Sequence, residues 1–239
     1  MSDPSTPEQP PEFAQLPDLG VWIEAALLVL ASAAILAFPL YPEWLRVQTS
    51  HNEAWGAVSL AWSVWLLARN NPLGWIVGLV GVALYAWVFW EAQLYGEVGL
   101  QCFYFVTSLQ AIWIWARGGP AHEERPVGRV QPATLGWTAL AVVAASAALT
   151  WVLAQARGAV PAVDAFTTVV SVTAHLYLMG RYVESWYLWV AVDAIYVPLY
   201  FTRGLSLTAA LYALFWVLAV QGMLRFRRLY REQTRGPAP

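Results

Sequence analysis

One apolar stretch, residues 184–202, carries a row of side chains that could hold a ligand. Trp186, Trp189, Asp193, Tyr196 and Tyr200 follow one another at offsets of 3, 7, 10 and 14 residues from the first. At 3.6 residues per turn these positions share one helical face. Indole faces attract cations through the ring quadrupole, and a nearby carboxylate adds direct charge pairing. Such a face suits a flat, positively charged ring. Trp and Tyr alone could merely pack helices or anchor at a membrane interface, so the carboxylate is what turns the row into a candidate site.

Two further sets of residues carry hydrogen-bonding chemistry. His175 lies in the segment 162–180, with Ser171 and Thr168 on its face one and two turns earlier. A histidine there can donate to a ligand, pair with Asp193 or relay a proton, or it can be a hydrogen-bonded packing residue. Gln101, Tyr104 and Ser108 share a face at offsets 3 and 7. Neutral groups of this kind suit an uncharged polar part such as a sugar, or bond one helix to another.

Other chemistries are excluded. There is no HExxH motif and no phosphate-binding glycine loop, and His51, His122 and His175 are far apart. Cys102 is the one cysteine, so no internal disulfide and no cysteine-based metal cluster is available. All 13 basic residues are Arg, so no lysine can form a retinal Schiff base. No metal, cofactor or nucleic-acid partner is expected. A membrane enzyme using His175 and Asp193 is the rival reading.

The elements that must hold these side chains are transmembrane helices. Hydrophobic residues make up 59% of the 239 and charged residues only 12%, half of what a globular domain carries. Eight apolar segments stand out, at about 20–40, 54–69, 73–92, 97–116, 133–154, 162–180, 184–202 and 206–225. Breakers separate them: Pro39 and Pro42, then Asn70, Asn71 and Pro72, then Gly118, Gly119, Pro120 and Pro126, then Gly158 and Pro161. The Pro-rich, acidic residues 1–19 are expected to be a disordered tail before an extra N-terminal transmembrane helix at 20–40. Glu24, near the start of that helix, is expected to reach water. Gly74, Gly78 and Gly81 are expected to allow close helix packing.

A shift of 111 residues lays three helices on three others without a gap. Ala54 meets Ala165, Trp75 meets Trp186, Tyr85 meets Tyr196 and Gln110 meets Gln221. A first three-helix repeat at 54–116, a connector helix at 133–154 and a second repeat at 162–225 follow. The single connector turns the second copy the same way as the first, which makes the repeat parallel, with its axis along the membrane normal. A basic tail, 226–239, is expected to be cytoplasmic. Arg69, Arg117, Arg125, Arg129, Arg181 and the five C-terminal arginines fall on one side, against Arg46, Arg157 and Arg203 on the other. The arginine-rich side is expected to be cytoplasmic, placing both termini inside an inner (cytoplasmic) membrane.

Two stretches resemble the PnuC nicotinamide riboside transporter family. One runs from Gln93-Leu94-Tyr95 through Leu100-Gln101. The other is Arg181-Tyr182-Val183-Glu184-Ser185-Trp186-Tyr187-Leu188-Trp189, followed four residues later by Asp193. The resemblance covers roughly residues 52–228. It implies an all-α integral membrane protein: one N-terminal helix plus a SWEET-like core of three, one and three helices. It also implies a homotrimer, facilitated diffusion of an aromatic solute, and trapping of that solute by a cytoplasmic kinase. By resemblance, Trp186 and Trp189 sandwich the aromatic ring, with Gln101 and Asp193 near the polar part. Two positions depart from the family: Gly81 and Asp193 stand where members that carry nicotinamide riboside often have Asn. Loss of an amide and gain of a charge bear on the substrate, so thiamine or another aromatic vitamin stands as the alternative.

Arg225, Arg227 and Arg228 are expected to orient the chain against anionic lipid. Replacing all three with Gln should lower membrane yield or disturb topology, read by cysteine labelling. Intact yield and topology with uptake lost would overturn that role.

Overall fold

An apolar run closes its backbone hydrogen bonds within itself when it lies in hydrocarbon, and the helix is the local way to do so. In the computed structural model, which describes residues 19–37, 50–91, 95–117, 126–155, 160–202 and 206–235, eight helices form. They are α1 (Leu19–Ala37), α2 (His51–Ala68), α3 (Leu73–Glu91), α4 (Tyr95–Arg117), α5 (Pro132–Gln155), α6 (Pro161–Met179), α7 (Glu184–Thr202) and α8 (Ser206–Arg235). One expected boundary is corrected. The helix expected at 206–225 runs on: residues 226–235 continue α8, because arginine is a good helix former and no Gly or Pro intervenes before Gly236. Residues 1–18 of the expected N-terminal tail lie outside the described residues, as do Arg46, Arg125, Arg157 and Arg203.

Six of the eight are long and apolar enough to cross a membrane: α1, α3, α4, α5, α6 and α8. The remaining two are the polar ones. Helix α2 carries Asn52, Glu53, Ser59 and Ser63, and α7 carries Glu184, Asp193 and a high share of Trp and Tyr. Helix α2 sits among three neighbours, α1, α3 and α8, while α7 lies against α6 and α8. The remaining contacts are α3 with α4, α5 with α6, and α4 with α6.

The α2–α3 pair is packed through glycine. Ser63 Oγ donates to the Gly74 carbonyl at 2.8 Å. A Cβ on Gly74 would lie 2.6 Å from the Leu67 side chain, and one on Gly78 would lie 2.7 Å from Ser63 Oγ. Helix α1 docks by polar contacts. Glu24, still partly exposed, forms an ion pair with Arg69, a partner the sequence pattern did not indicate. The Arg69 guanidinium also lies 3.9 Å from the Trp65 ring centroid, and Trp62 Nε1 donates to Ser32 Oγ at 3.1 Å. A charge this far into a helix is held most cheaply by a nearby opposite charge.

Helices α2 and α6 end alike. Asn70 N donates to Leu67 O and Asn71 N to Leu66 O; Arg181 N donates to Leu178 O and Tyr182 N to Tyr177 O. Each pair of bonds is a Schellman cap, with its left-handed residue at Asn70 (φ 58°) or Arg181 (φ 57°). A left-handed residue other than glycine costs about 1–2 kcal/mol. The two caps are 111 residues apart, and at the same offset α3 falls end for end on α7, and the start of α4 on the start of α8.

The segment before α5 is strapped onto the α6–α7 turn. Gly128 N donates to Arg181 O and Val183 N to Gly128 O, both at 3.1 Å. The Glu184 carboxylate accepts from Val130 N at 3.0 Å and from Arg129 Nε at 2.8 Å. That carboxylate holds the Arg129 guanidinium above its usual pKa range through the hydrogen bond.

Gly74→Ala should destabilise the protein by about 1–3 kcal/mol through overpacking. Gly99→Ala, where nothing lies within 4 Å of the new methyl, should leave stability unchanged. Thermal unfolding of the two variants in detergent checks this; equal melting temperatures would mean that the close α2–α3 approach is dispensable.

Candidate functional site

Helix α7 presents the row found in the sequence. Asp193 is 4% exposed and makes no hydrogen bond or ion pair with another described residue. Trp186, 1% exposed, is a core residue: its ring meets Phe226 edge-on at 5.5 Å, and a Cβ on Gly222 would come within 2.6 Å of it. The glycine is therefore what lets α8 approach the indole. Trp189 is half-buried and packs against the same core. Tyr196 lies 4.7 Å from Tyr212 of α8, ring to ring. The side chain of Tyr200 lies outside the described residues.

Helices α4 and α6 supply the second group. His175 is buried, with Nε2 2.9 Å from Thr107 Oγ1. The Thr107 hydroxyl spends its proton on the Phe103 carbonyl at 2.6 Å, so His175 Nε2 carries the hydrogen and donates. The imidazole has chosen Thr107 as its partner, not Asp193. Three rings surround it: Tyr104 at 4.8 Å, Trp75 at 5.3 Å and Phe103 at 6.2 Å. Gln101 is half-buried on α4, one turn before Tyr104, and Ser108 and Ser171 are buried. Thr168 is half-buried.

Trp75 joins the two groups. It meets His175 on one side and Trp115 on the other, at 5.7 Å, and Trp115 Nε1 donates to the Met179 carbonyl. Trp75, Trp115, Trp186 and Phe226 belong to one buried cluster, on which Trp189 packs. Trp75 and Thr107 are the residues that sequence reasoning missed. The repeat offset, which pairs Trp75 with Trp186, was the available signal for the first; nothing marked Thr107.

Several buried polar atoms here lack a partner among the described residues: Nε1 of Trp75, Nε1 of Trp186 and Oε1 of Gln221. In a dry interior such atoms are costly. Among the described residues this leaves two donors, one acceptor and one carboxylate without a partner on α3, α7 and α8. Among the described residues no group of His, Cys, Asp or Glu is placed to hold a metal ion.

Thr107→Val should strip His175 of its acceptor and lower stability by about 1–3 kcal/mol. Thr107→Ser should recover most of that loss. Equal unfolding temperatures for Val and wild type would mean that the pair is not formed.

Three comparisons bear on the family of the chain. The profile of the family described as "Nicotinamide mononucleotide transporter" matches residues 50–228. The nicotinamide riboside transporter PnuC of Escherichia coli (strain K12) is 26% identical over 207 residues, covering 76% of this chain and 87% of its own. The riboflavin/roseoflavin transporter RibM of Streptomyces davaonensis is 28% identical over 199 residues, covering 72% of this chain and 91% of its own. The crystal structure of the vitamin B3 transporter PnuC superposes with a TM-score of 0.64 at 25% identity, over 88% of this chain and 92% of that one. The match spans every helix that builds the site, α2 through α8, and the chain belongs to the nicotinamide mononucleotide transporter family, a family of multi-pass membrane carriers.

Proposed function

We propose that the chain carries nicotinamide riboside into the cell by facilitated diffusion, with trapping by a cytoplasmic kinase. The observation that carries the reading of a cationic aromatic solute, which fits nicotinamide riboside and thiamine alike, is Asp193, a carboxylate buried on the aromatic face of α7 with no partner among the described residues. A cationic pyridinium ring supplies the missing charge, and Trp189 beside it supplies a π-face. Trp186, seated against Gly222 and Phe226, braces that wall. Gln101, Tyr104, His175 and Tyr196 serve the uncharged part of the solute. The names of the PnuC relatives support the substrate.

The arrangement in the membrane is part of the same proposal. Residues 54–116 and 162–225 form parallel repeats around the connector 133–154, three copies of the chain assemble, and both termini face the cytoplasm. The equal caps of α2 and α6 and the coincidence of α3 with α7 support the repeat. A second reading, another aromatic vitamin such as thiamine, is favoured by one observation: the likeness to RibM, whose name gives a different vitamin, riboflavin.

Uptake of radiolabelled nicotinamide riboside into empty proteoliposomes, without product formation, tests the function. Calorimetry tests the site. Trp189→Ala should weaken binding about ten-fold, since a desolvated cation–π contact contributes about 1–2 kcal/mol. Trp189→Phe should weaken it less. Asp193→Asn should weaken binding of the cationic ring and leave a neutral analogue little affected. Unchanged affinity in both Trp189→Ala and Asp193→Asn, with the protein folded, would place the site elsewhere.

A further inference from the structure

Asn70 and Arg181 are counterparts at the 111-residue offset, and they touch: Arg181 Nε donates to Asn70 Oδ1 at 3.0 Å. A two-fold rotation leaves a residue beside its own counterpart only where both lie close to the axis. An axis in the membrane plane would bring counterparts together at mid-membrane, whereas these two residues close the ends of α2 and α6. The contact therefore sits on an axis along the membrane normal, at the surface where the α2–α3 and α6–α7 turns emerge.

The position of Arg181 shows that its side chain is wanted there. It occupies the left-handed site of a helix cap, where glycine is the easy choice, and a glycine stands one position earlier, at Gly180. Backbone held in a sparsely populated region is a mark of functional sites. The Arg181 side chain is buried, and its guanidinium lies 4.6 Å from the centroid of Trp115. Trp115 and Asn70 both belong to the first repeat, so one side chain of the second repeat crosses the axis and grips the first at two points. The Arg181 carbonyl holds the Gly128 strap.

A carrier built of two halves opens a path between them, and on a two-fold bundle that path runs along the axis. A side-chain contact on the axis at one surface closes the path at that surface. We propose that Arg181, Asn70 and Trp115 form the latch of the gate on the arginine-rich face, and that Arg181 must release Asn70 for solute to pass. This inference rests on the transport reading above. The bond joins side chains only, so it can break and re-form while both helix caps stay intact.

Asn70→Asp keeps the shape and turns the hydrogen bond into an ion pair, strengthening the latch. Exchange of nicotinamide riboside across proteoliposomes should slow by at least about three-fold, with affinity in detergent unchanged. Exchange as fast as wild type, or faster, overturns the latch. A second variant, Asn70→Cys with Arg181→Cys in a Cys102→Ser background, is cross-linked with a short bifunctional thiol reagent. The cross-linked form should bind solute and fail to exchange it, and a cleavable reagent should restore exchange on reduction. Cross-linked protein that exchanges at the unlinked rate overturns the gate. Wild-type vesicles in the same assay separate the two questions, because absent exchange there counts against the substrate and not against the latch.

Discussion

Polar groups inside hydrocarbon have only one another, and that scarcity of partners organises this molecule. Hydroxyls bond back to carbonyls of their own helices: Thr107 to Phe103, Thr150 to Ser146, Thr167 to Val163, Thr173 to Val169 and Ser32 to Leu28. Two helix ends close their last carbonyls with Schellman caps. Glu24 turns to Arg69, and Glu184 collects two donors from the strap. Against that economy the exceptions stand out. Among the described residues the indole N–H groups of Trp65, Trp75 and Trp186, Arg69 Nε, the Ser146 hydroxyl and the Gln221 carbonyl oxygen have no partner, and neither has the Asp193 carboxylate.

The helix scaffold was legible in the sequence because apolar blocks of membrane length alternate with Gly, Pro and Asn breakers; the limits of α7 coincide with those read from the pattern. The end of α8 was not. Dense arginine reads as a tail when composition is weighed, but propensity continues the helix. The α7 row was legible because one helix supplies all of it. His175 was found for its type, but its partner was not, since Thr107 lies 68 residues away on another helix. Periodicity reports which residues share a face and is silent on which faces meet. The ion pair of Glu24 was hidden for the same reason.

The repeat separates scaffold from chemistry. At the 111-residue offset the packing pair Trp75–Trp115 corresponds to Trp186–Phe226, and both meet edge-on at similar distances. Of the groups that could bind, Tyr196 has a counterpart in Tyr85, but most of the others are not duplicated. Trp189 corresponds to Gly78, Asp193 to Val82, His175 to Val64 and Thr107 to Leu218. Small or aliphatic residues at Val64, Gly78 and Val82 suit the close packing of α2 and α3. A symmetric shell around asymmetric contents is suited to one solute with one orientation.

Helix α8 has a practical consequence. Ten residues beyond the expected end of the span remain helical, a rise of about 15 Å. A soluble domain joined in helical register near Arg235 would ride on that continuous rod and not on a slack linker. For a chain of only 239 residues, such a rigid extension offers a fiducial for particle alignment in electron cryomicroscopy. The same lever would report tilting of the second repeat as a change in the angle of the attached domain.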